Sequence, residues 1–149
     1  MLDSTAQKRN FYYSLKKYVI DNLFTGNNIY LLFDNFLPPD ESVNRWVAVI
    51  QSPLSRSTLS DYGFDLYCVT RRDYEGEQLT ELIDLVAGYF VSDTTQTDGF
   101  MRIPFYDSVT QTQNGCMVVT NCSEGNQMEA PDQSKFVILS ITAKMASKV

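Results

Sequence analysis

The chain has 149 residues, a length that suits one domain, and 44% of them are hydrophobic, enough to bury a single core. Twelve Lys and Arg stand against 18 Asp and Glu, a net charge of −6 that disfavours wrapping nucleic acid by phosphate neutralisation. There is no His, which removes Ser–His and Cys–His nucleophile pairs, His general bases and His metal ligands in one step.

Met1-Leu2-Asp3-Ser4 lacks the basic and apolar regions of a signal peptide. No apolar run approaches the roughly 20 residues needed to cross a bilayer, so no membrane partner is expected. Ser4-Thr5-Ala6-Gln7 has the form of a capping box and predicts a helix from there to about Leu23. Phe11, Leu15, Tyr18, Val19 and Leu23 make its apolar stripe, Lys16 and Lys17 lie outward, and Gly26-Asn27-Asn28 stops it. Ile29 to Phe33 has strand length. The segment from Asp34 to Glu41 is a proline loop, in which Phe36 and Leu37 are expected to fold back onto the core or meet a partner.

Arg45 to Gln51 is a strand apolar on both faces and therefore central in its sheet. Ser52 to Ser60 reads as a loop or frayed edge. Tyr62, Phe64, Leu66 and Cys68 alternate with polar neighbours in a half-buried strand. Asp73 is placed to cap the next helix, with Glu75 and Glu77 in its first turn and Leu79, Leu82, Ile83, Val86 and Phe90 on its buried face. A polar loop, Ser92 to Gly99, leads to a strand from Phe100 to Tyr106, which Pro104 assigns to an edge or an end. Asn114-Gly115 signals a type I′ hairpin before a strand from Cys116 to Cys122. Ser123 to Ser134 is a second polar loop. Phe136 to Lys144 is the last strand, and a loose tail is expected from about Met145. The expected whole is one α+β domain over 1–149: a mostly antiparallel sheet with two helices packed on one face.

Chemistry-bearing patterns are few. Asp34 with Asp40 and Glu41, and Asp61 with Asp65, read as solvated surface acids. The glycines never form a phosphate-binding loop, and no Ser has a nucleophile-elbow context. Cys68, Cys116 and Cys122 match no zinc spacing or disulfide framework and are expected to be buried free thiols. Arg71-Arg72 at a strand end is the most suggestive charged pair, either an exposed turn or one half of a contact with a neighbour's acidic loop.

Phe64-Asp65-Leu66-Tyr67-Cys68-Val69-Thr70-Arg71-Arg72, then Leu79-Thr80-Glu81-Leu82-Ile83-Asp84-Leu85-Val86, then Ile103-Pro104-Phe105-Tyr106-Asp107, resembles the tail terminator (tail-completion) proteins of long-tailed bacteriophages. The N-terminal helix, the Trp46 strand and the closing strand also suit that family. The resemblance implies a structural virion protein with no enzymatic step and no cofactor. It implies a homo-hexameric ring that caps the tail tube, ends tube polymerisation and offers the surface that joins a head completion or connector protein. DNA passes through such a ring without sequence-specific binding, and assembly takes place in the host cytoplasm. The alternatives are a head–tail connector adaptor, a tube protein, or a small-ligand-binding or enzymatic domain using carboxylates such as Asp61 and Asp65.

Exposure and loop length suggest where contacts fall. Phe36, Leu37, Asp40 and Glu41 with Arg45 are expected at the subunit interface, with Arg71 and Arg72 pairing across it. Thr94, Thr95, Gln96, Thr97 and Asp98, together with Glu124, Glu129 and Asp132, are expected to face the tube or the head.

Overall fold

The computed structural model describes residues 8–38, 40, 42–55, 59–91 and 101–146. The N-terminal helix α1 spans Lys8–Val19 and widens into a π-helical turn, Ile20–Thr25. Strands β1 (Tyr30–Phe33), β2 (Arg45–Ser55) and β3 (Leu59–Thr70) follow, then helix α2 (Glu77–Ala87). The chain closes with β4 (Arg102–Tyr106), β5 (Gln113–Glu124), the two-residue β6 (Met128–Glu129) and β7 (Lys135–Ala146). The sheet order is β1-β2-β3-β7-β5-β4, with β6 attached to β7. Among the described residues only the β1–β2 pair is parallel, so the expected mostly antiparallel α+β architecture holds. The capping box at Ser4 and the loop 92–100 lie outside the described residues.

Alternation decides which face is covered. Tyr62, Phe64, Leu66 and Cys68 of β3 stand opposite Ala143, Ile141, Leu139 and Val137 of β7, and all eight are buried. Both helices cover this face. α1 contributes Phe11, Leu15 and Val19, α2 contributes Leu79, Leu82, Ile83 and Val86, and all belong to one apolar cluster with the strands. Burying each large side chain of this kind stabilises the fold by about 1.5–3 kcal/mol.

The sheet curls so that α1 reaches both of its edge strands. On one side Tyr12 meets the Phe33 ring of β1, and the Lys16 ammonium lies 5.3 Å from that ring's centre. On the other side Phe11 packs edge-on against Phe105 of β4, and Tyr13 against Tyr106. Two buried polar residues of α1 finish the β4 edge. The Ser14 hydroxyl accepts from the Tyr106 amide at 2.8 Å, and Asn10 Oδ1 accepts from the Ser108 amide at 2.9 Å. Pro104, two residues before Tyr106, has no N–H to satisfy.

Several expectations change. β2 continues through Ser52 to Ser55, with a register shift between Gln51 and Leu54 that tolerates Pro53. Asn114-Gly115 is not the hairpin turn. The chain reverses over Asp107–Thr112, where the Asp107 carboxylate accepts from the Val109 and Thr110 amides at 2.8 and 3.1 Å. Gly115, at φ +119°, lies inside β5 where its pairing with β4 slips, a backbone conformation that glycine adopts freely. The loop after Glu124 carries β6, which pairs with the start of β7. Met145 is not in a loose tail: it extends the buried face of β7.

The cysteines divide. Cys68 is buried, Cys122 is half-buried and Cys116 is exposed. Burial pushes the Cys68 thiol up to about 12. In the native protein Cys116 should therefore react first with a thiol reagent, Cys122 slowly, and Cys68 only on unfolding. Equal reaction rates at the three positions would contradict this packing. Replacing Ser14 by Ala leaves the Tyr106 amide without its acceptor and should lower the unfolding free energy by about 1–3 kcal/mol. The change would be read from the urea midpoint at constant slope.

Candidate assembly surface

The described candidate residues gather at one end of the sheet. There β3 finishes at Thr70, β2 starts at Arg45, and β7 starts at Lys135. Arg45 pairs with Thr70, and Thr70 pairs with Lys135, so three strands meet at one level. Glu124, at the end of β5, stands opposite Leu139, four residues further into β7 than Lys135. Glu129 in β6 stands opposite Lys135. Residues 94–98 and Glu41 lie outside the described residues.

The proline loop folds over the aromatic part of the sheet's second face. Phe36 meets Tyr67 and Phe136 edge-on, with ring centres 5.6 and 5.4 Å apart. Its carbonyl accepts from the Trp46 indole at 2.7 Å. Leu37, beside it, points away and is 52% exposed. The loop thus divides the pair: Phe36 folds back and Leu37 remains available. Asp40 is exposed and accepts from the Ser42 amide at 2.9 Å, a bond that holds its carboxyl below the usual range.

Arg71 and Arg72 have different surroundings. The Arg71 guanidinium lies 4.6 Å from the centre of the Trp46 ring. It donates to the Val43 carbonyl at 3.4 Å and stands 3.8 Å from the Asp132 carboxylate. Asp132 also accepts from the Ser134 hydroxyl at 2.7 Å, which with Arg71 keeps its carboxyl below the ordinary value. Arg71 therefore ties β3, the proline loop and the 130s turn of its own chain together. Arg72 sits at φ +55° and is exposed, with one bond of 2.6 Å to the Asn44 side chain.

Between these elements lies a recess of about 190 Å³, walled by Arg71, Arg72, Asp73 and Tyr74 on one side and by Glu129, Asp132, Gln133 and Lys135 on the other. The Lys135 ammonium donates to the Asp73 and Tyr74 carbonyls at 2.6 and 3.3 Å. Three cations face three carboxylates here, so the recess has no net charge to draw in an ion. Among the described residues no three His, Cys, Asp or Glu side chains converge as metal ligands would. The chemistry on offer is contact chemistry, an exposed guanidinium beside exposed apolar groups.

Sequence reasoning missed those apolar groups. Tyr74 is 89% exposed and Met128 43% exposed, both at this end. An aromatic residue between two acids and before a glycine is the only signal for Tyr74, and a turn explains it equally well.

Asp73 sets where α2 begins. Its carboxylate accepts from the Leu79 and Gln78 amides at 2.9 and 3.3 Å, and from the Thr70 hydroxyl at 3.2 Å. Gly76 makes the turn between cap and helix at φ +75°. Burial works to raise the Asp73 pKa, but these bonds and the Lys135 charge outweigh it, and the carboxyl lies below its ordinary value. Such a group stabilises the fold above the unfolded pKa, near 3.9, and loses that contribution as pH falls through the folded value. Asp73→Ala should lower stability by about 0.5–2 kcal/mol at neutral pH. The deficit should shrink below about pH 4, as urea melts across pH would show.

No family model matches the chain, and no curated protein matches its sequence. Solved structures do share its fold. One that bears no functional name superposes with a TM-score of 0.62 at 10% identity, over 93% of this chain and 95% of the other. A chain from the virion of a native gene transfer agent particle superposes with a TM-score of 0.50 at 11% identity, over 97% of both chains. At these identities the likeness is one of fold.

Proposed function

We propose that the chain is a structural protein of a phage-type virion and, within that class, a tail terminator. One observation carries this reading: the fold runs over 97% of this chain and of a chain from a gene transfer agent virion. The resemblance of Leu59–Asp107 to tail terminators supports the finer assignment. On this reading six copies form a ring on the end of the tail tube, stop its growth and present a surface to a head completion or connector protein. DNA passes through without base contacts, and the net charge of −6 keeps it from adhering. The role is non-enzymatic, and the protein resides in the virion tail after assembly in the host cytoplasm.

The end of the sheet around Arg72 serves as the contact surface. Arg72, Tyr74 and Leu37 supply the side chains toward the neighbouring subunit, and Glu124 and Glu129 those toward the tube or head. Tyr and Arg bury large area at modest entropic loss, which suits them to contact centres. Arg71 supports this surface from within.

Adding the purified protein to the tube protein of the same virus as it polymerises should shorten the tubes in proportion to dose, with density on one end. Unchanged lengths and bare ends would sink the proposal. Binding only to a portal-side ring would move the assignment to a connector adaptor. Arg72→Glu combined with Tyr74→Ser should raise the concentration needed for capping roughly tenfold, equivalent to about 1.4 kcal/mol. The thermal midpoint should be unchanged. A double variant that caps like the parent would remove this corner from the contact.

A further inference from the structure

Both helices lie on one face of the sheet, yet the second face has a sealed patch at the Thr70 end. Strand parity places Trp46, Ala48 and Val69 on it, and all three are fully buried. Tyr30 of β1 and Phe136 of β7 extend the row of Trp46 and Val69. An antiparallel sheet can leave one face to water, so burial here needs a cover other than a helix. Two segments supply one. The proline loop lays Phe36 against Tyr67 and Phe136, and Pro38 of the same loop is buried. The chain leaving Thr70 lays Arg71, itself mostly buried, against Trp46.

Trp46 touches both segments. Its indole N–H donates to the Phe36 carbonyl at 2.7 Å, and the Arg71 guanidinium lies 4.6 Å from its ring centre. Tryptophan joins a ring donor to a large face that attracts a cation, whereas phenylalanine has the face without the donor. The exposed groups come next in the chain. Leu37 follows Phe36 directly, and Arg72 follows Arg71 directly. In each pair the first residue is held by Trp46 and the second projects. The strand that carries Trp46 also receives Arg72 itself: the Asn44 side chain accepts from its guanidinium at 2.6 Å, and the Asn44 carbonyl accepts from the Arg71 amide at 2.8 Å.

The proline loop has fixed ends. At one, the Asp34 amide donates to the Val49 carbonyl at 2.9 Å. At the other, the Val43 amide donates to the Asp40 carbonyl at 3.3 Å, and the Val43 carbonyl accepts from Arg71 at 3.4 Å. Between these ends the bond from Trp46 ties the Phe36 backbone to the sheet. The direction in which Leu37 leaves the loop is set by that peptide. The direction of Arg72 is set by the left-handed turn that follows Arg71, at φ +55°.

We propose that Trp46 is a positioning residue that fixes Leu37 and Arg72 relative to each other, so that both meet a neighbouring subunit as one preformed unit. The ring is held between its two contacts. A shift of Arg71 on its face displaces the indole nitrogen, and with it the carbonyl that aims Leu37. A preformed pair loses less freedom on binding than two groups on independent segments. That Leu37 and Arg72 touch a neighbour rests on the tail terminator reading, whereas the link through Trp46 does not.

Two measurements test this, the first without any partner. Trp46 is the sole tryptophan, so its indole N–H gives one magnetic resonance signal, whose hydrogen exchange reports opening of the bond to Phe36. Arg71→Lys keeps a charge for Asp132 and a donor for the Val43 carbonyl but loses the flat stack on the ring. It should speed that exchange at least threefold, and Arg71→Ala at least tenfold, while the core amides of β3 and β7 exchange as in the parent. An unchanged indole, or one that speeds only as much as the core amides, overturns the link. Acceleration in Arg71→Ala alone would route the link through Val43 or Asp132 and overturn the role of the ring. The second measurement is tube capping. Leu37→Ala and Arg72→Ala should combine non-additively in the parent, by at least threefold, and additively in Trp46→Phe. Additive losses in both backgrounds overturn the preformed unit. If Trp46→Phe does not fold, Arg71→Lys takes its place as the background. A parent that never shortens tubes would remove the tail terminator reading, and the indole exchange would still decide whether Trp46 joins the two segments.

Discussion

Helix α1 closes a sheet that would otherwise have two open edges. A strand edge exposes unpaired amides and carbonyls and invites uncontrolled pairing with another chain. On β4 the exposed amide positions are answered by the Ser14 hydroxyl and by the missing N–H of Pro104, while Asn10 holds the turn that follows. On β1, Tyr12 and Lys16 lie against Phe33. The same helix inserts Phe11 between Tyr62 of β3 and Phe105 of β4, with ring centres 5.1 and 5.0 Å away. Strand pairing alone leaves the curl of the sheet open. One aromatic side chain touching two distant strands fixes it.

With the β4 edge answered by α1, the ends of the strands stand out as an exposed surface of fixed shape. At the Thr70 end the charges divide by role. Arg71, Asp132 and Lys135 join segments of their own chain, and Asp73 starts α2. Their geometry is internal and largely satisfied, so they give the end a fixed shape. Arg72, Tyr74, Leu37 and Met128 stand on that frame with little to hold them. A rigid base beneath exposed Arg and Tyr lowers the ordering entropy a partner must offset.

Much of the fold is legible in the sequence because its strongest signals are periodic. The β3 alternation, the 79–82–83–86 spacing of α2 and the odd-numbered stripe of β7 each have one structural solution with an apolar face inward. Expectations broke where a local signal competed with long-range pairing. Asn114-Gly115 is a strong turn dipeptide, but Asp107, seven residues before Asn114, caps the turn, and the glycine is used for a bulge instead. Met145 looked terminal by position, yet strand parity carries it onto the buried face. The candidate surface was half legible. Arg71-Arg72 drew notice as a pair, but only the Trp46 ring and Asp132, distant in sequence, show that one supports and the other projects.

Net charge and charge pattern act over different distances. At physiological salt the Debye length is about 8 Å, so two copies at −6 repel weakly once ions surround them. Complementary charged faces are felt only near contact, where water is displaced and screening fails. The long-range term is sign-blind to orientation, and the short-range term is not. The net charge of −6 and the gathering of cations on α1 and acids on α2 are therefore separate properties of one chain. The acidity that argues against nucleic-acid binding is therefore compatible with ordered self-association, because a third of the chain's cations are collected on one helix.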